Sequence, residues 1–208
     1  MPPARPRFAV PRRPAEPWSW EEIPCLPAFQ LADAGAPAVH QTRARLCWDD
    51  EALHVRFDCE DLDAWGTFSR RDDPIWREEA VEVFLAPGPD DPVDYFEFEV
   101  SPLGVLFDAT IHNPTSLRAD LKGDPSWDCP GVRWSAGPGG LRQDWWAEIS
   151  IPWRGLVPAG DIPRLWRANF YRIERPRGGE AEFSAWSPTR TAPADFHKPA
   201  YFGLLELA

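Results

Sequence analysis

The stretch DDPIWREEAVEVFL, residues 72–85, sets an indole and a carboxylate six positions apart across a change from loop to strand. Trp76 stands among Asp72, Asp73, Arg77, Glu78 and Glu79, where a residue destined for the core is not expected. Glu82 follows on the strand, flanked by Val81 and Val83. An indole is a rigid apolar plate with a polar edge. A sugar ring is its complement, because axial C–H groups pack on an aromatic plane while equatorial hydroxyls need charged or amide partners to fix orientation. Trp76 and Glu82 supply both kinds of group. Each also has a plainer account: Trp76 as a loop aromatic folded over a sheet edge, Glu82 as a solvated strand residue or an ion-pair partner of Arg56.

Acid–base chemistry is the rival use of the same stretch. Glycoside hydrolysis requires two carboxylates facing across a cleft, about 5–9.5 Å apart according to stereochemical outcome. Glu78, Glu79 and Glu82 are the candidates, but adjacent Glu78 and Glu79 point to opposite sides of a strand and make a poor acid–nucleophile pair. We therefore expect a binding protein, not an enzyme, with an aromatic interaction patch for another protein as a further alternative. Cys25, Cys47, Cys59 and Cys129 form no CxxC pair and have no histidine at zinc-finger spacing. Read as partners across a turn at Asp49-Asp50-Glu51, the strands carrying Cys47 and Cys59 set Cys47 opposite Leu53 and Cys59 opposite Gln41. The two thiols then lie about 20 Å apart along the sheet, beyond disulfide reach, so buried free thiols are expected.

The formal charge of −11 and pI near 4.8 exclude sequence-independent binding to nucleic acid or to anionic membrane, both of which need basic patches. Nowhere do about 18 apolar residues run together, and the N-terminal MPPARPRFAVPRRP has no apolar core of a secretory signal. A cytoplasmic chain is the expectation.

The elements that must position these groups read as strands. From residue 41 onward about ten short segments alternate with period two, from QTRARLCW and ALHVRFDCE to AEFSAW and YFGLLEL, separated by Gly, Pro and Asp turns. This pattern predicts an all-β fold, an antiparallel β-sandwich of jelly-roll type with little helix. A turn at PWRGL and a short helix in NPTSLRADLKGD are the helical candidates. Residues 1–16 form a Pro/Arg-rich arm expected to be loose, and residues 17–208 one domain. In YFEFEV, Phe96, Phe98 and Val100 oppose Tyr95, Glu97 and Glu99, and in LHVRFDC, His54, Arg56 and Asp58 share a side. An ordinary solvated sheet face accounts for Arg56, Glu97, Glu99 and Glu148. Trp145, Trp146, Trp153 and Trp166 are assigned to the core or its cover.

Three segments together resemble family 9 carbohydrate-binding modules, β-sandwiches of the wider DOMON-like group. WREEAVEVFLAP resembles the family's tryptophan-to-strand motif, RLCWDDEALHVRFDCEDLD its early hairpin, and FSAWSPT with DFHKPAYFGLLEL its closing stretch, so the likeness spans roughly residues 38–207. The resemblance implies non-catalytic saccharide binding, with Trp76 as one wall of an aromatic clamp, Phe196 as the other, and Glu82 accepting hydroxyls at the floor. The family's Arg and Asn on the middle strand fall on Glu99 and Ser101, so the polar half of the site differs, and Trp186, Arg172 and Glu99 are candidates for a rearranged pocket. Such modules accompany hydrolases, which implies a separate carbohydrate-active enzyme as partner. No cofactor is expected, apart from the calcium that the family holds in loops, for which Asp61 and Asp63 are the candidate ligands; turn formation accounts for that Asp cluster equally well. DOMON-like sandwiches also include haem proteins, but His–Met ligation needs an internal methionine, and Met1 is the only one.

Overall fold

A computed structural model describes residues 5–140 and 143–208 of the chain. Among the described residues thirteen strands build two sheets: β1 (Arg7–Val10), β2 (Gln30–Leu31), β3 (Thr42–Trp48), β4 (Ala52–Cys59), β5 (Ala80–Pro87), β6 (Asp94–Val100), β7 (Leu106–His112), β8 (Lys122–Asp124), β9 (Arg133–Pro138), β10 (Trp145–Pro152), β11 (Leu165–Glu174), β12 (Glu182–Ala185) and β13 (Gly203–Leu207). The larger sheet runs β1-β13-β11-β5-β6-β7-β8, with β12 on the other half of β11 and β2 beyond it; the smaller runs β3-β4-β10-β9. The pairings are antiparallel except β1 with β13, which is parallel. The predicted sandwich is thus the observed fold.

The core lies where period-two faces of the two sheets meet. Val81, Val83 and Leu85 of β5, Ala168 and Phe170 of β11, and Phe98 and Val100 of β6 pack against Leu53, Val55 and Phe57 of β4 and Ala147, Ile149 and Ile151 of β10. Burial of each such side chain contributes about 1.5–3 kcal/mol against its exposure. A second cluster lies on the opposite face of the large sheet, with Ala80, Phe84, Tyr95, Phe107, Ile111, Tyr171 and Phe202 at its centre. The large sheet is therefore covered on both faces. That second cover comes from connections, mainly the segments around residues 72–77 and 190–202.

Four details differ from expectation. Part of the arm over residues 1–16 is a strand, because β1 hydrogen-bonds along β13 from Arg7 opposite Leu204 to Val10 opposite Leu207, and Val10 is fully buried; residues 1–4 lie outside the described residues. The β3–β4 register is shifted by one, with Cys47 opposite His54 and Cys59 opposite Thr42. All four cysteines are free, but Cys25 is exposed, on a segment held to the sheet by an isolated bridge to Arg45. No helix forms in NPTSLRADLKGD; its end supplies β8 instead, while Trp153–Gly155 makes a single 3-10 turn. Among the described residues no helix is long and apolar enough to cross a membrane.

Candidate functional site

Trp76 is positioned by a locally determined turn. Asp73 accepts backbone N–H bonds from Ser69 (3.2 Å) and Arg70 (3.0 Å), Pro74 precedes a 3-10 turn over Ile75–Arg77, and Asp72 adopts a left-handed φ of 63°, which Asp tolerates better than most residues. Ile75 is the anchor, fully buried in the outer cluster. Its neighbour Trp76 is 38% exposed, with its ring edge-on to Phe107 at 4.8 Å between centroids. Downstream, Glu78 accepts from the Thr67 amide at 2.7 Å and from its hydroxyl, which fixes the entry into β5.

Trp76 stands at a hollow of about 480 Å³ on the outer face of the large sheet. Strand pairing decides what lies beneath. Glu82 of β5 is opposite Glu99 of β6, and Glu97 is opposite Phe84, so the three carboxylates share one face at the centre of a fully paired sheet. Phe107, Ala109 and Ile111 of β7 continue that face, and Arg118, Phe196 and His197 enter from the covering loops. Glu82, Glu97 and Glu99 are 2%, 6% and 1% exposed, and one oxygen from each lies within 4.8 Å of the others. Glu97 and Glu99 are thus not the solvated residues that alternation alone suggested. Long covering loops, which alternation does not register, close over them.

Burial raises all three carboxyls above the ordinary range, Glu97 to about 7; repulsion from Glu97 raises Glu82 further, repulsion from Glu82 and Glu97 raises Glu99, and Arg118 offsets part of the rise at Glu82 and Glu97. Oε2 of Glu99 has no hydrogen-bond partner. His197 is held neutral, pushed down to about 3 by burial, with Nδ1 2.7 Å from the Tyr95 hydroxyl.

The remaining expected site residues divide sharply. Phe196 lines the hollow, but it is 7% exposed and lies flat on Tyr171 at 4.1 Å and 13°, so it is floor and not a second open plate. Arg172 does not reach the hollow. It is opposite Val81, on the inward face of β11, whereas its neighbour Tyr171 is opposite Glu82. There its guanidinium donates to Glu60 O at 2.6 Å, to Asp61 at 2.8 Å and to Glu174. Trp186 is also core, 3% exposed and edge-on to Phe170. Its ring fills the space over Gly203, where an added Cβ would stand 2.2 Å from a ring carbon and 3.0 Å from Pro6 O. Gly203→Ala is expected to cost about 1–3 kcal/mol through overpacking, read as a lower midpoint in urea unfolding.

Asp61 and Asp63 do not fit a shared calcium ion. Asp63 is tied to Arg177, while Asp61 accepts from the Asp63 amide at 2.7 Å, from Trp145 Nε1 at 3.1 Å and from Arg172. The carboxylates gathered with Asp61 are Glu79 and Glu174, and the guanidinium of Arg172 already supplies their counter-charge. Glu97 and Arg118 were not anticipated at the hollow. For Glu97 the signal was present, since residues i and i+2 of a strand share a face and Glu99 was already a candidate. For Arg118, on a long connection, there was none.

The comparisons with known proteins agree with this architecture. An alignment 177 positions long, which covers 78% of this chain and 76% of the relative, shows 29% identity to a protein of Arthroderma benhamiae named "Extracellular protein". A Bacteroides uniformis protein assigned to carbohydrate binding superposes with a TM-score of 0.74 at 18% identity, covering 97% of this chain and 99% of its own. The family 9 module of Caldicellulosiruptor kristjanssonii in complex with glucose gives 0.65 at 15% identity, covering 98% and 96%. The same organism's module in complex with cellotriose gives 0.63 at 16%, covering 97% and 93%. The profile of the carbohydrate family 9 binding domain-like proteins matches residues 17–208, and the chain belongs to that family.

Proposed function

We propose that the chain binds saccharide ends non-covalently in the hollow beside Trp76, without chemistry of its own. The observation that carries this reading is the partly open indole of Trp76 next to a recess floored by buried hydrogen-bonding carboxyls. A sugar ring packs on the free part of the indole and its hydroxyls donate to Glu82 and Glu99. The glucose and cellotriose held by the Caldicellulosiruptor modules support a glycan of pyranose units as the ligand class. A separately encoded carbohydrate-active enzyme is the partner we assign, as the user of the bound glycan.

Hydrolysis is the less favoured use of the same groups. Glu82, Glu97 and Glu99 rise from neighbouring strands of one wall, and among the described residues lining the hollow no carboxylate stands on the facing side. An acid and a base or nucleophile must flank the glycosidic bond from two sides.

Trp76→Ala tests the proposal. Cello-oligosaccharides titrated to millimolar concentration are expected to change the intrinsic fluorescence of the native protein, and the variant is expected to lose at least tenfold in affinity. Stability should fall by only about 1–2 kcal/mol, because the ring is partly open and rests on Phe107. Native-like saccharide binding by the folded variant would exclude Trp76 as the platform.

A further inference from the structure

We propose that the hollow selects a cationic saccharide end, a hexosamine unit with a free ammonium group, its ring on Trp76 and its nitrogen among Glu82, Glu97 and Glu99. This rests on the saccharide reading above and names its ligand class.

The trio is compact enough for one ammonium donor to reach all three carboxyls. A primary ammonium has three N–H bonds in tetrahedral arrangement, and three acceptors about 2.8 Å from its nitrogen lie about 4.6 Å from one another. The three carboxyl oxygens fall within 4.8 Å of one another. Glu99 is 99% buried by its exposure of 1%, lines the recess, and keeps one oxygen with no donor to satisfy it. Among the described residues none of the three carboxyls forms a salt bridge. Arg118, the cation that acts on all but the deepest of them, is exposed and already engaged by Asp195 at 3.2 Å. Arg175 lies at the side of the hollow, over the face of Phe183 at 5.6 Å.

A neutral sugar meets these carboxyls with hydroxyl donors but brings no counter-charge, so the buried group stays protonated and loses acceptors. An ammonium brings both donors and charge, and a charge-assisted bond is about twice as strong as a neutral one. A bare divalent ion fits the recess less well. It needs six or more oxygens in a shell about 2.0–2.6 Å from its centre, whereas the walls here are Phe107, Ala109 and Ile111. The other titratable groups facing the trio are His197, neutral by burial, and the Tyr95 hydroxyl bonded to it, neither of which supplies a cation.

The test is calorimetric titration of the full chain at pH 6.5, in the presence of a chelator, with glucosamine trisaccharide, its fully N-acetylated form and cellotriose. The glucosamine trisaccharide is expected to bind at least tenfold tighter than the other two and to release protons, seen as a buffer-dependent heat. Glu99→Gln is expected to abolish that preference and the proton release, lowering affinity for the glucosamine trisaccharide at least tenfold more than affinity for cellotriose; Glu97→Gln serves as a second variant should the first unfold. Equal affinity for the three sugars would overturn the charge selectivity and leave saccharide binding standing. Absence of binding by all three would overturn both. Cellotriose binding that appears only when calcium replaces the chelator would assign the trio to a metal and overturn the proposal.

Discussion

Arg172→Met is expected to destabilise the protein by about 3–5 kcal/mol, the range for removing one partner of a buried ionic cluster. Arg172 is fully buried, and three carboxyls are gathered around it: Asp61, Glu79 and Glu174, at 1%, 0% and 2% exposure. Two of them accept from the guanidinium directly, and Glu79 has neither carboxyl oxygen bonded, with burial and the adjacent Glu174 pushing it up to about 9. With Arg172 gone, the carboxyls must all be protonated or repel one another in a site that water does not reach. A domain of this size loses roughly 2–4 °C in Tm per kcal/mol, so a thermal melt should fall by about 10 °C. Adding Asp61→Asn and Glu174→Gln to the methionine should recover much of the loss, because an uncharged cluster no longer needs a cation. Where Arg172→Met melts within 3 °C of the native protein, the cluster is not the structural cation site described here. Saccharide affinity serves as an internal control, since Arg172 faces the sandwich interior and the hollow is on the other side of the sheet.

That difference of one residue, Arg172 against Tyr171, marks how far the sequence could be read. The ten period-two segments are strands in the structure, and the faces assigned to YFEFEV and LHVRFDC are those observed. Alternation works there because one side of each strand is apolar. In β11, LWRANFYRIE, it fails, since both faces of the strand are buried and the pattern no longer separates inside from outside. Arg172 then looks as available as Tyr171, although it shares parity with Ala168 and Phe170. The short strands β1, β2 and β8 escaped for a related reason. Two to four residues cannot show a period, and their pairing depends on edges supplied by distant chain. The acidic trio lay between these cases. Each residue was visible on its strand, and a hairpin between β5 and β6 brings Glu82 against Glu99; only the loops over them, which carry Trp76, Arg118 and Phe196, convert a solvated face into a buried one.

The same buried carboxyls predict that the protein melts higher at pH 5.5 than at pH 8. Glu97 and Glu174 are raised to about 7 and Glu79 to about 9, in each case first by burial, and Glu82 and Glu99 are raised by burial and then by the neighbouring carboxylates. In the unfolded chain each returns to the ordinary glutamate value near 4.3. Between that value and the raised one, the folded state binds more protons than the unfolded state, so stability falls as pH increases. Glu97 and Glu174 contribute up to about pH 7, and Glu79 continues to about pH 9. His197 acts in the opposite direction: lowered to about 3, it must stay neutral in the fold, which costs stability as pH falls below its unfolded value near 6.5. One imidazole is outnumbered by five carboxyls over that window. Stability is therefore lost from pH 5.5 to pH 8, and Tm is expected to fall by on the order of 10 °C. Melting curves at half-unit pH intervals measure it, and Glu79→Gln should flatten the limb above pH 7, because an amide holds the neutral state that the carboxyl must leave. A melting temperature that rises from pH 5.5 to pH 8 would mean that these carboxyls are ionised in the folded protein, and the electrostatic account of both clusters would fail with it.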